Sequence, residues 1–438
     1  MNWLSHGGLA SQGRRRTLHM VFVFALAVAA RVLYFVVLSP ISPEWSPEVL
    51  PRNGYLAIAT NLVAGHGYSI GNLLTYFPAA GLVPTAARSP VPVFMLAAVV
   101  KVAGSDWYYP VLALTWCCSG VVAVAAYWIG VRASGREWLG LWTGVVFACY
   151  LSEMYIATTY AVGSEPVFSA LLAVYVVFSI CAVDRRSVAW ATAAGAALAL
   201  ASLSRPAVLL LPAVPIAWML FWLRGRAVGM ILAFSLTFAA IHAPWVLRNY
   251  LVFGKPIATT TLRGFVLYRH NGMIEENKYN VGYLLPEFRD KVQEVVARTG
   301  RPLPSFNEAE LDDLLSAEGT RIIRAYPWRY LKLSLLRSIW IWYVENSGRG
   351  LYAVQNVLIY LFAAAGLVYA ARSREPVYIL LLAHVAYFVV VHSAINVQYR
   401  FIYPVVPFLI LLAGLPVHTA VRSRGLDDEQ QFPRAEAH

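Results

Sequence analysis

Charge is what this chain has least of. Only 13% of its 438 residues are Asp, Glu, Lys or Arg, where a soluble protein carries about 25%. Hydrophobic residues make up 59%, and the mean hydropathy is +0.58. This excludes a soluble Rossmann or barrel fold and leaves a polytopic membrane protein. Cysteine is also scarce. Cys117, Cys118, Cys149 and Cys181 all lie inside apolar runs, so no disulfide framework is indicated and the thiols read as small packing hydrophobes. No metal-ligand spacing and no solenoid-type repeat is present. Acids are few beside bases, 23 against 35, for a net charge of +12. In a soluble chain that excess points to nucleic acid. Here it reads as short basic loops held in the cytoplasm by the positive-inside rule, some of them meeting anionic lipid head groups. No nucleic-acid partner, cofactor or metal requirement is expected.

What the chain does have is a series of apolar runs. Those at 18–38, 108–130, 138–155, 165–183, 188–204, 207–223, 228–247, 351–371, 376–393 and 401–418 read as membrane spans. Two shorter stretches, 90–103 and 330–344, fall short of the roughly 20 residues a crossing needs. Charge sets the count. If both short stretches lie on the membrane surface, the pairs Arg132/Arg136, Arg185/Arg186, Arg224/Arg226, Arg372/Arg374 and Arg422/Arg424 all fall on the same side as Arg14–Arg16. If both span, three of those pairs move outside. The positive-inside rule therefore predicts ten spanning helices with both termini cytoplasmic, and two juxtamembrane helices on the outer face. The first run passes Ala27-Val28-Ala29, which looks like a signal-peptidase site, without ending, and reads as a retained helix.

The expected organisation is an all-α polytopic membrane protein. A seven-helix module over 1–247 carries an outer loop at 39–107. A second outer region follows at 248–350, then C-terminal helices over 351–418 and a polar cytoplasmic tail over 419–438. The second region is the one soluble-like part and holds nearly half of the acids. Within it, Phe288, Val292, Val295 and Val296 share a face of a helix from Pro286 to Thr299, with Gly300 as its stop. Ser305 and Glu308 form a capping-box pattern ahead of a second helix that runs to about Ala325. Leu311, Leu314, Leu315, Ile322 and Ile323 face inward, and Pro327 ends the helix. This makes a small helical cap on the membrane module.

Under this topology the outer helix ends collect charge. Glu44, Glu48, Asp106, Glu153 and Glu165 lie there, with Arg52, Arg88, Arg205, Arg248, Arg263, Arg269 and Arg400. An outward site lined by carboxylates and guanidiniums fits the pattern. Helix ends also carry snorkelling polar residues as a rule, and that reading covers Arg205 and Asp106. It covers Glu165 less well, since Gly163-Ser164-Glu165-Pro166 sets a carboxylate in the first turn of a span. An N-capping role and a functional one stand level there. His242, His384 and His392 lie in or near spans and read as interhelical hydrogen-bonding groups.

Several segments resemble one family, the polyprenyl-phosphate-sugar-dependent glycosyltransferases of the GT-C class, in particular the protein O-mannosyltransferase and lipid A aminoarabinose transferase group. Tyr55-x3-Ala59-x2-Leu62-x2-Gly65-x-Gly67-Tyr68 looks like the segment after that family's first helix. Arg88-Ser89-Pro90, with the apolar run to Gly104, is similar to its basic-Pro juxtamembrane helix. Ser164-Glu165-Pro166 resembles its second acidic position, and Ser204-Arg205-Pro206 recurs there too. Pro244-Trp245-x2-Arg248-Asn249-Tyr250-x2-Phe253-Gly254-Lys255 looks like the exit of its seventh helix. Tyr399-Arg400-Phe401-x2-Pro404 resembles the entry to its last. One departure stands out. Where the family carries an Asp three or four residues before the position of Tyr55, this chain reads Pro51 and Arg52, and the nearest acids are Glu48 and Glu44.

The resemblance implies transfer of a sugar from a polyprenyl-phosphate donor to a glycan, lipid or protein acceptor on the outer face of a bacterial inner membrane, by inverting direct displacement. A carboxylate must take the acceptor's proton, and a cation must stabilise the departing lipid phosphate. Glu48, with Glu44 and Glu165 as alternates, is the expected base. Arg88, Arg248, Arg400 and Arg52 are the expected phosphate ligands; arginine suits the role through its planar fork and fixed charge. Tyr55, His66, Arg263 and Arg269 are the expected acceptor-side residues. A lipid-linked-sugar flippase is the alternative, although that function favours ionisable groups near the midplane. A non-catalytic membrane scaffold comes third.

Overall fold

The computed structural model of the protein describes residues 4–39, 54–74, 76–342, 350–373 and 375–423. Helix dominates, as the unbroken apolar runs require, because a backbone in lipid must satisfy its own hydrogen bonds. In chain order the helices are α1 (Leu4–Leu38), α2 (Tyr55–Val63), α3 (Pro90–Ala103), α4 (Tyr108–Ser134), α5 (Glu137–Ala148), α6 (Leu151–Thr159), α7 (Glu165–Arg185) and α8 (Val188–Ser202). They continue as α9 (Ala213–Leu223), α10 (Val228–Phe253), α11 (Arg263–Asn271), α12 (Leu285–Ala297), α13 (Glu308–Ala325) and α14 (Pro327–Trp340). The last are α15 (Gly350–Ser373), α16 (Pro376–Ala394) and α17 (Val406–Ser423).

Each of the ten apolar runs falls on helix. Among the described residues, six helical stretches are long and apolar enough to cross a membrane, or up to seven if α5 and α6, bent by 48°, form one span. The runs at 207–223 and 228–247 merge into one 48-residue stretch, Pro206–Phe253. It is broken at Arg224, where φ is 50°. Val188–Ser202 and Tyr403–Val417 are shorter apolar helices. The two stretches expected at the surface, α3 and α14, are helices of 14 residues each.

Within the bundle α7 packs along α8, α8 along α10, α1 along α4, and α15 along α17. Lipid offers little hydrophobic drive between helices, so small residues let backbones approach. A Cβ on Gly366 would stand 1.9 Å from the Leu412 carbonyl oxygen, and one on Gly195 would stand 2.4 Å from that of Phe234. His384 bridges helices by facing the Tyr175 hydroxyl at 3.2 Å, and His242 does so to Ser202 at the same distance.

The segment after α2 is not a plain connector. Ser69–Leu73 (β1) and Phe77–Pro84 (β2) form an antiparallel hairpin, with a register break between Ile70 and Asn72. Gly and Pro through this stretch hide the strand pattern, while the break absorbs the irregularity. The base of the hairpin, at Tyr68 and Ile70, packs with α2, α3 and α4. Its tip, at Leu73, Leu74 and Phe77, enters a separate core built by α11, α12 and α13. The cap is therefore joined to the membrane module through the hairpin.

Two details of the cap differ from expectation. The capping box of α13 is Asn307 with Glu310, each side chain bonded to the other's backbone N–H. Ser305 and Glu308 do not form it, because Glu308 is buried against the hairpin. Pro327 does end α13, but it also opens α14, where a missing N–H costs nothing.

Candidate active site

α7 begins at Glu165, with Pro166 in its first turn. The Glu165 side chain is 10% exposed and turns towards two guanidiniums. Its Oε1 lies 3.1 Å from Arg400 Nε and 3.6 Å from Arg205 Nη1. The carboxylate also accepts from the backbone N–H groups of Ser164 and of Glu165 itself. The capping and functional readings thus describe the same group. Arg205 follows α8 in extended backbone just before Pro206. Arg400 sits in the short helical turn Tyr399–Phe401 that precedes α17. Aromatic rings hold both guanidiniums in place. Arg400 lies 4.3 Å from the Tyr160 ring centroid, and Arg205 lies 4.8 Å from that of Phe401. Such contacts orient a planar cation while leaving its edge for an anion.

Tyr55 and Arg88 complete the cluster. The Arg88 guanidinium stands over the Tyr55 ring at 5.4 Å and over Tyr76 at 5.7 Å. The Tyr55 hydroxyl hydrogen-bonds the Ser164 side chain and is within electrostatic reach of Arg88, Glu165 and Arg205. Burial pushes its phenol up; Arg88 opposes that, and Glu165 adds to it. Among the described residues, the guanidiniums of Arg88, Arg205 and Arg400 gather around Tyr55 and the Glu165 carboxylate.

A narrow cleft runs from Glu165 and Arg400 past Ser169 and Tyr403 to a second acid, Glu153. Glu153 pairs with the fully buried Arg31 of α1 and accepts from Ser119 Oγ at 2.5 Å. Arg31 Nη1 also donates to the carbonyls of Ala27, at 2.9 Å, and Ala148, at 2.6 Å. The bend between α5 and α6 frees the second of these acceptors.

Of the residues expected from sequence, the structure brings together Tyr55, Arg88, Glu165 and Arg400. Of the other described ones, Arg248, Arg263, Arg269 and His66 lie elsewhere. Arg248 is clamped by the hairpin, donating to the carbonyls of Thr85 at 2.8 Å and Tyr68 at 3.1 Å. Arg263 bonds Ser316, and Arg269 bonds the Tyr283 carbonyl, both within the cap. His66 is exposed in the turn after α2. Glu44, Glu48 and Arg52 lie outside the described residues. Sequence reasoning set Arg205 aside as a snorkelling end residue and overlooked the Arg31–Glu153 pair. An arginine inside the first apolar run was the available signal for that pair. Among the described residues, no three His, Cys, Asp or Glu side chains come together.

No family model matches this sequence, and no curated protein matches it. Solved structures do. The chain is similar to the archaeal oligosaccharyltransferase AglB from Archaeoglobus fulgidus in complex with an inhibitory peptide and a dolichol-phosphate. That match has 12% identity and a TM-score of 0.59, over 97% of this chain and 53% of that one. The apo form of the Archaeoglobus fulgidus oligosaccharyltransferase matches with 12% identity and a TM-score of 0.58, over 95% and 53%. A form tethered to an acceptor peptide containing the NVT sequon matches with 13% identity and a TM-score of 0.56, over 94% and 51%. The chain spans about half the length of these structures. At such identity the likeness is one of fold.

Proposed function

We propose that the protein is a GT-C membrane glycosyltransferase that moves a sugar from a polyprenyl-phosphate donor to a glycan, lipid or protein acceptor. The observation that carries this reading is Glu165 between Arg205 and Arg400, with Tyr55 and Arg88 alongside, in a fold shared with oligosaccharyltransferases. A departing lipid phosphate needs cationic partners, and guanidiniums supply that role. The aromatic-backed forks of Arg88, Arg205 and Arg400 hold the phosphate. Glu165 orients them and the acceptor. Glu48, or Glu44, from the loop that precedes Tyr55, takes the acceptor's proton as it attacks the anomeric carbon, with inversion. The apolar bundle beside α3 receives the lipid tail.

The topology in this reading has ten spans and both termini in the cytoplasm of a bacterial cell. The Glu165 cluster, the hairpin and the cap then face outward. Supporting it, Arg15, Arg16, Arg132, Glu137, Asp184 and Glu375 meet in ion pairs at the other end of α7.

A flippase for lipid-linked sugars is the second reading, favoured by the Arg31–Glu153 pair within the bundle. One experiment separates the two. Purified protein in lipid nanodiscs is given radiolabelled polyprenyl-phosphate sugars and a cell-envelope acceptor fraction. A labelled acceptor product identified by mass supports the transferase. Transbilayer movement of donor in vesicles without any product would replace it with the flippase.

A further inference from the structure

Glu308 is the first residue of α13, and the helix does not need it as a cap, since Asn307 and Glu310 fill that role. Its side chain is instead buried, 2% exposed, where the cap meets the hairpin. Oε1 accepts from the Thr85 hydroxyl at 2.9 Å, and Oε2 accepts from the Ala86 N–H at 2.7 Å. Thr85 Oγ1 in turn accepts from the Ala87 N–H at 3.0 Å, and the Thr261 N–H donates to the Ala86 carbonyl at 3.1 Å. One cap carboxylate therefore fixes the segment immediately before Arg88.

The far side of that segment is tied as well. The Tyr68 hydroxyl donates to the Arg88 carbonyl at 2.7 Å. The Val91 N–H donates to the Leu203 carbonyl, two residues before Arg205. A second route from the cap reaches the Arg88 side chain. Phe265 of α11 stacks on Tyr76 at 4.5 Å, and Arg88 Nη2 donates to the Tyr76 hydroxyl at 3.4 Å. A buried carboxylate is costly unless its hydrogen bonds are met. This one meets them with the backbone that carries a guanidinium of the candidate site.

We infer that Glu308 is a positioning residue. By fixing Thr85–Ala87 to the cap it sets the Arg88 guanidinium at the Glu165 cluster, so that cap docking and binding of the donor's lipid phosphate are one coupled equilibrium. This rests on the proposed reading of Arg88 as a phosphate ligand. Coupling of this kind is reciprocal: a bound phosphate also stabilises the docked cap.

The test uses the full chain in nanodiscs, with undecaprenyl phosphate as the probe and undecaprenol as the phosphate-free control. Glu308→Ala is expected to raise the Kd for undecaprenyl phosphate about tenfold, with undecaprenol unchanged, and Arg88→Ala to raise it by a similar factor. The double variant is expected to be no weaker than about twofold beyond either single one, because both remove the same contact. Glu308→Gln, which keeps an acceptor for the Ala86 N–H but not for the Thr85 hydroxyl, is expected to lose about threefold. It also carries the test if the alanine variant does not fold. Hydrogen exchange at Ala86 and Ala87 is expected to accelerate in either Glu308 variant. Losses that multiply, or a Glu308 variant with unchanged exchange and unchanged Kd, overturn the inference and leave the site reading standing. Undiminished binding by Arg88→Ala overturns both, because the site reading itself then fails.

Discussion

Helix α7 carries an acid at each end, and the two are treated differently. Its 21 residues rise roughly 30 Å, the thickness of a hydrocarbon core. At one end Asp184 takes a two-pronged bond from Arg132, 2.6 Å to each oxygen. There Arg132 and Asp184 are 36% and 30% exposed, and Glu375 adds a second carboxylate to the same guanidinium at 3.2 Å. At the other end Glu165 is 10% exposed and faces Arg205 and Arg400, with Arg88 nearby. The Asp184 end is a finished ion pair. At the Glu165 end the guanidiniums are backed by rings, Arg400 by Tyr160 and Arg205 by Phe401. A helix needs polar ends at both surfaces, so position alone does not point to function; buried ionisable groups gathered against aromatic rings make the stronger case.

The contrast breaks first at the carboxylates. Glu165→Gln should lower the transfer rate about 10³-fold, whereas Asp184→Asn should cost less than about twofold. Equal losses, measured as initial rates at saturating donor, would dissolve the distinction. Next comes burial. Arg31→Met should destabilise the bundle by about 3–5 kcal/mol in detergent unfolding, because it leaves Glu153 uncompensated.

The cap provides a third contrast, two buried acids held by hydroxyl and backbone N–H donors. Burial pushes the carboxyls of Glu308 and Asp312 up to about 7. Since these folded-state values lie above the unfolded ones, the stability they contribute is complete below about pH 4 and is lost as pH rises through about 7. Each unit of the raise is worth about 1.4 kcal/mol. Protection factors of the α13 amides, which correct for base-catalysed intrinsic exchange, should be lower at pH 8 than at pH 5, and Glu308→Gln with Asp312→Asn should flatten that dependence. Smaller again, Arg205→Lys should cost about tenfold in kcat/KM, because an ammonium keeps the charge but loses the fork stacked on Phe401. Smallest of all, Arg132→Met should change stability by about 1 kcal/mol or less, as exposed pairs do.

Much of this was legible in the residues. Apolar length announced the helices, and Glu165 and Arg400 were visible as charges beside prolines at the ends of apolar runs. Arg205 was not separable from a snorkelling arginine, because only the fold shows that Phe401 and Glu165 stand beside it. The α13 cap illustrates the same limit. Ser305–Glu308 and Asn307–Glu310 are both capping-box spacings two residues apart, and the choice between them is made by Thr85 and Ala86, more than two hundred residues upstream. The hairpin stayed hidden because glycine and proline blur alternation. Among the described residues six or seven stretches pass for spans, because Val188–Ser202 and Tyr403–Val417 are short as helices and Pro206–Phe253 reads as one stretch. Helix boundaries of this kind are backbone events that hydropathy does not record.

The buried pair of Arg31 with Glu153 also sets a schedule. Its partners are 122 residues apart in the chain, so at 5–20 residues per second the guanidinium waits roughly ten seconds for its counterion. An arginine within a span raises the free energy of insertion by about 2.5–3.5 kcal/mol. During that interval α1 must be held at the insertion machinery or the interface, and it is committed to the bilayer only when α6 emerges. The first helix to be made is thus settled only once the sixth has been. A chain arrested before residue 153 should leave α1 extractable from the membrane under conditions where the full chain is not.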